Sequence, residues 1–365
     1  MLVAALAALA LAQAGAQAAP DRDWVLVYYM SYDNNLEGCG PVILDALEKG
    51  VAGTKLVVTV LSDDTKKDGL NRITLSKDGR TSEKLATDNS ASEDVLKDYL
   101  AWVAKNHPAR HYAIVFLDHG GRLDEMSADE WPGDAITKHW LSAKLVGPIL
   151  RQWRQDAPGA VDLLFLQQCG RGSIENLYNF RGAADAILAS QTSVGAPNTY
   201  YEPTGRWLGA REKTSGLELA KRIMADDEHF TNYVCVAGAA LDELPKRLAP
   251  VVDALLAPTE PSPATGLKPC FPIQDEKNYD LLAWLESAFK ENELPDKPLK
   301  EFREWLTGKL ILEHVKKDPS AKRIASWTGL SLVVADSEKV RKRYADYPIY
   351  ADTRLDDLWN AMFPK

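Results

Sequence analysis

Two apolar runs whose ends lie 50 residues apart each stop abruptly on a reactive side chain beside glycine. The first, 113–117, is followed by Asp118-His119-Gly120-Gly121. The second, 161–166, is followed by Gln167-Gln168-Cys169-Gly170-Arg171-Gly172. A short apolar run bounded by turn residues reads as a buried strand of a parallel sheet. Open α/β sheets bind ligands beyond the carboxyl ends of such strands. His119 and Cys169 both stand at that end, as a thiol nucleophile and its base do when they are distant in sequence and adjacent in space.

The rest of the pattern supports this reading. Residues 24–30 predict a strand, 31–35 a turn with helix-capping residues, 36–49 a helix closed by Gly50, and 55–61 a Val-rich strand. A hairpin is predicted around Asp78-Gly79. Helices are predicted over 92–105 with Ser92 as cap, over 138–155, and from Ser173 to Phe180. A strand at 186–189 leads into a loop at 191–206. Strands alternating with helices predict an α/β domain over 20–245, with a mostly parallel sheet and helices on both faces. After residue 245 the pattern changes to a Pro-rich break at 257–263, helices at 279–291 and 300–316, and a strand at 329–334. We read 246–365 as an accessory subdomain.

Composition excludes several classes. The net charge is −9 over 365 residues, and no Lys/Arg block breaks the acidic balance, so nucleic acid is not a partner. Residues 2–12 are wholly apolar, with Ala-x-Ala sites at 14–16 and 16–18. This reads as a signal peptide over 1–19 of a secreted or periplasmic protein, although no basic residue precedes Arg22. No other run is long enough to span a bilayer. Four cysteines do not make a disulfide scaffold in a chain this long. With Cys169 free, at most one bridge forms among Cys39, Cys235 and Cys270. No metal-ligand spacing is present, so a structural zinc is not expected.

The chemistry follows from these positions. His119 acts as general base and Cys169 as nucleophile. The backbone N–H groups of Gly120 and Cys169 are the oxyanion donors, with glycine allowing close approach. Asp118 points to the face opposite His119, so it reads as a hydrogen-bonded strand-end aspartate and not an orienting carboxylate.

Asp118-His119-Gly120-Gly121 and Gln167-Gln168-Cys169-Gly170 resemble the His-Gly and catalytic-Cys motifs of caspase-like cysteine peptidases. The wider chain resembles the clostripain family of that clan. The resemblance runs through 24–29 with Asp33-Asn34-Asn35-Leu36-Glu37, through Cys169, Gly172, Glu175 and Tyr178, through 184–190, and through Gly329-Leu330-Ser331 and Trp359. It implies a caspase-like fold and a secreted, thiol-dependent endopeptidase with a Cys169–His119 dyad and no obligatory third member. Its partner would be a peptide or protein substrate, and the chain is read as a monomer.

The family's usual Asp two residues before the cysteine resembles a counter-charge for a basic P1 side chain. Here Gln167 stands in its place, on the face of Cys169 by the period of two. The substrate-binding candidates are therefore Gln167 and, as a replacement acid, Glu202; a neutral or polar P1 is at least as well supported as a basic one. Relatives are often cut between the histidine and the cysteine, but Lys138 and Lys144 in that interval read as helix-surface lysines. Some relatives need calcium. The acidic stretch Asp124, Glu125, Asp129, Glu130 and Asp134 lacks EF-hand spacing, so no cofactor is expected and calcium stays open. Two alternatives remain: a catalytically inactive relative that binds a peptide or protein, and an acyltransferase or transpeptidase sharing the dyad.

Overall fold

The computed structural model describes residues 22–63, 69–130, 139–211, 213–317 and 326–364. In chain order the strands are β1 (Arg22–Ser31), β2 (Val57–Asp63), β3 (Asn71–Ser76), β4 (Gly79–Lys84), β5 (Ala109–Leu117), β6 (Glu125–Asp129) and β7 (His139–Ser142). They continue with β8 (Ala160–Gln167), β9 (Ala186–Ala189), β10 (Asn232–Ala237), β11 (Phe271–Ile273), β12 (Glu276–Asp280), β13 (Ile311–Lys316) and β14 (Ser331–Val333). Nine of them form one sheet in the order β13-β10-β9-β8-β5-β1-β2-β3-β4. Its five central strands, β2, β1, β5, β8 and β9, run parallel. Two antiparallel strands extend it at each edge.

Strand β1 shows why the sheet is covered on both faces. Trp24, Leu26, Tyr28 and Met30 enter one core, while Val25, Val27 and Tyr29 enter the other. This is the period of two in a strand buried on both sides. The helix Glu93–Asn106 is capped by Ser92, whose side chain accepts from Val95 N, as the sequence predicts. The hairpin around Asp78-Gly79 is β3–β4.

Several boundaries differ from the sequence reading. The first helix spans Cys39–Val51. Asn34 Oδ1 accepts from Leu36 N, a local turn that delays the helix. Gly50 is not its cap but lies inside it, where a Cβ would come within 3.0 Å of Tyr201 O. Residues 139–142 pair with β6 (Met126↔Leu141), so the next helix is Ala143–Asp156; Lys138 lies outside the described residues. The loop after β9 gives way at Tyr201–Gly209 to a helix. Residues 311–316 leave the predicted helix and cover the edge of β10, with Cys235 opposite Glu313.

The region after 245 therefore supplies a strand to the main sheet. It also shares a core cluster that runs in sequence from Val25 to Met362. No disulfide joins the four cysteines. Among the described residues, no helix is long and apolar enough to cross a membrane. The leader read at 1–19 lies outside them.

Candidate active site

The register between β5 and β8 pairs Leu117 with Gln167. Two residues further on, His119 and Cys169 leave adjacent strand ends side by side. Here the main chains touch. A Cβ on Gly120 would lie 2.1 Å from Cys169 O, and one on Gly170, whose φ is +70°, would lie 2.3 Å from the ring of Phe271. Only glycine fits both positions. Gly170 N donates to Thr192 O and Gly172 N to Ser190 O, which fastens the cysteine loop to the segment after β9. From that segment Val194 N donates to Cys169 Sγ at 3.4 Å. Gly121 N is committed to Glu125 O. Among the described residues, the N–H groups of Gly120 and Cys169 donate to no protein acceptor.

The histidine side is built from side chains. Asn34, buried, donates to Ser31 O, Asp118 Oδ1 and Ala128 O. Asp118 also accepts from Ala128 N, as a hydrogen-bonded strand-end aspartate. Asn35 beside it is exposed, and its Oδ1 lies 2.7 Å from His119 Nε2.

Arg171 joins the two loops. It is 1% exposed, and its guanidinium donates to four carbonyls: Cys169 O, Gly121 O, Arg122 O and Leu123 O. Burial lowers its pKa, while Tyr347 and Glu276 act in the opposite sense. Glu276 on β12 also accepts from Leu123 N and from Arg343. The β11–β12 hairpin, which lies in the region read as accessory, thus braces both the histidine and the cysteine loops. Glu175, just beyond the cysteine, is fully buried and accepts from Val333 N. Burial pushes its carboxyl up to about 8.

The structure also locates the two substrate-binding candidates. Gln167 is buried; its Nε2 donates to Asn198 and to Tyr201 OH, and its Oε1 accepts from Tyr200 OH. Asn198 in turn donates to Asp227. The Asp227 carboxylate also receives Tyr233 OH, Thr199 N and His229 N. Burial holds the hydroxyls of Tyr200, Tyr201 and Tyr233 protonated; Tyr200 and Tyr233 donate within the network. Glu202 lies apart from this network. It pairs with Arg206 at 3.0 Å, and its main chain packs against Gly50.

The acidic stretch after the histidine is dispersed. Asp124 accepts from Ser142 and Lys144 N, Glu125 pairs with Arg122, and Asp129 accepts from Ser90; Asp134 lies outside the described residues. Among the described residues, the carboxylates close enough together for a divalent cation are those of Asp33, Asp63 and Asp129, with ligand atoms within 4.8 Å of one another and buried. Sequence reasoning missed Asn35 and Arg171. The first has the local meaning of a cap. The second carried a signal: a lone arginine inside the run Cys169 to Tyr178, which is otherwise uncharged except for Glu175.

A model described as the clostripain family matches residues 28–249. Clostripain from Hathewaya histolytica is 25% identical over 217 residues, 48% of this chain and 40% of its own length. The match thus spans about two fifths of that relative. Among solved structures, an inactive zymogen C11 protease from Parabacteroides distasonis superposes with a TM-score of 0.69 at 19% identity, covering 92% of this chain and 99% of that one. A secreted C11 cysteine protease from Bacteroides thetaiotaomicron, in complex with an irreversible peptide inhibitor, gives 0.67 at 18% identity, covering 91% and 99%. At these identities the structural likeness speaks for the fold.

Proposed function

The chain belongs to the clostripain family, and from that premise we propose that it is an exported cysteine endopeptidase acting through Cys169 and His119. The observation that carries this is the β5–β8 register, with the contact of Gly120 on the Cys169 carbonyl. His119 takes the Cys169 proton, and the thiolate attacks the scissile carbonyl. The oxyanion is received by the N–H groups of Gly120 and Cys169. The tetrahedral adduct then expels the amine, which takes the proton back from the imidazolium. Water, deprotonated by His119, hydrolyses the thioester.

The P1 residue we propose is uncharged. Gln167 stands where the family resemblance expects a carboxylate, and its amide is already bonded to Asn198, Tyr200 and Tyr201. Asp227, the next acid in that network, has four donors of its own. A P1 arginine would find no carboxylate at position 167 and an Asp227 already bonded to four donors. Export is supported by the apolar segment 2–12 and by the secreted C11 protease of similar fold.

Cleavage of a P1-diverse peptide library by the full chain, beside Cys169→Ala, tests the proposal. Cysteine-dependent cleavage after uncharged residues is expected. Cleavage after Arg or Lys would remove the P1 proposal. No cleavage, with or without calcium or limited proteolysis, would favour a peptide-binding role.

A further inference from the structure

We propose that a cleft at the end of the sheet opposite His119 and Cys169 binds a small phosphate monoester through Arg22, Lys55 and Lys77. The cleft has a volume of about 350 Å³ and is lined by these three cations and by Thr74, Ser76, Asp78 and His107. The topology makes it. β1, β2 and β5 run parallel, so their amino ends lie together, with Arg22 opposite Ala109 and Lys55 just before β2. β3 runs against β2 and so delivers its carboxyl end to the same edge. Leu75 enters one core, which turns Thr74 and Ser76 to the other face, where Thr74 Oγ1 lies 3.4 Å from His107 Nε2. The nine residues of β5, about 30 Å of strand, separate this cleft from the histidine end.

The protein does not balance the charge here. Among the described residues, Arg22 and Lys55 form no ion pair and no side-chain hydrogen bond. Acids close in sequence or on the neighbouring hairpin are engaged elsewhere: Asp23 with Arg110, and Asp45 and Glu48 with Arg80. Asp78 pairs with Lys77 at 2.7 Å, which leaves two positive charges in the cleft uncompensated. Burial, and after it the charge of Arg22, push the His107 ring down to about 4, so the ring is neutral at pH 7 and the positive field is that of the arginine and the lysines. The helix Glu93–Asn106 ends at His107 and brings about half a negative charge, too little to cancel two. In a chain of net charge −9, such a cleft attracts an anion that the rest of the surface repels.

Two uncompensated charges match a phosphate monoester, which carries about −1.5 to −2 at pH 7 and three acceptor oxygens, better than they match a carboxylate. Arg22 offers a planar fork of donors and Lys55 a mobile point charge. Ser76 Oγ accepts from Asp78 N and, among the described residues, gives its own hydrogen to no acceptor. The volume falls at the lower end of the roughly 300 to 1,000 Å³ of small-molecule sites, with room for a short organic group beside the phosphate.

Isothermal titration calorimetry of the full chain, at low salt in a buffer free of phosphate and sulfate, tests this with glycerol 3-phosphate, inorganic phosphate and acetate; none of these readouts needs catalysis. Glycerol 3-phosphate is expected to bind with a Kd of about 1 mM or below, inorganic phosphate more weakly, and acetate about tenfold more weakly than the ester. Arg22→Ala and Lys55→Ala should each raise the Kd of the ester about tenfold, the loss of one charge-assisted bond. Lys246→Ala removes an equal charge from an exposed position outside the cleft and should leave the Kd within twofold. No binding of the ester up to about 20 mM, well above that Kd, overturns the proposal, as does acetate binding as tightly as the ester, or Lys246→Ala weakening it as much as Lys55→Ala. Tighter binding of inorganic phosphate than of the ester would overturn the assignment to a monoester. Ester binding that survives both cleft substitutions, with a fall in Tm for Arg22→Ala, would leave Arg22 as a counter-charge to the helix end and overturn the site.

Discussion

The two strand ends that meet at the site are held by different means. Beyond β8 the main chain does the holding: Gly170 and Gly172 donate to the segment after β9, and no room is left for a Cβ at Gly170 or Gly172. Beyond β5 the holding is done by side chains, through Asn34 on Asp118 and Asn35 on His119. The cysteine is thus fixed by close packing and the histidine by directed polar bonds. Close packing is rigid and tolerates no added atom. A single exposed bond to an imidazole contributes only about 1 kcal/mol, so the histidine is the more weakly held of the two.

Arg171 is where the two kinds of support meet, and its loss should do most damage. Arg171→Met removes a charged donor from four carbonyls, two of them in fully buried bonds, each such bond contributing about 1.5 kcal/mol or more. We expect about 5 kcal/mol of destabilisation in denaturant unfolding, with both loops released together. A loss under about 1 kcal/mol would show that the loops hold themselves.

Glu175 tests the packed side alone. Its carboxyl is raised from 4.5 to about 8, so the folded chain keeps a proton that the unfolded chain releases near pH 4.5. The stability linked to this group is full below that pH and is lost as pH rises through about 8, up to about 4 kcal/mol. Glu175→Gln should flatten the dependence of the unfolding midpoint between pH 5 and pH 9. Parallel curves for the two chains would place the proton elsewhere.

Glu202 belongs to neither end. Its exposed pair with Arg206 is of the kind that contributes under about 0.5 kcal/mol, and Glu202→Ala should leave both stability and P1 preference unchanged. A changed P1 preference would bring the helix Tyr201–Gly209 into the substrate site.

This contrast also explains what was legible beforehand. Gly120, Gly170 and Gly172 announced the close approach, because glycine is the residue such contact demands, and the apolar runs before His119 and Cys169 announced the strands. Asn35 was not legible. In a turn before a helix an asparagine has a sufficient local explanation, and its real partner lies 84 residues away. Residues 311–316 were misread because Ile311 and Val315 fit a helix face as well as a strand, and only the open edge of β10 decides between them. Arg171 offered only the signal of a lone arginine in its run, while the four carbonyls it serves become neighbours only after folding.

The ring of Phe271 rests against Gly170, and Glu276 faces the amide of Leu123. Both come late in the chain. From Cys169 to Glu276 is 276 − 169 = 107 residues, roughly 5 to 20 seconds of synthesis at ordinary elongation rates. For that interval a nascent chain carries histidine and thiol without the brace that sets them. The order of residues along the polypeptide thus acts as a clock: the two loops gain this brace only after most of the protein has been made.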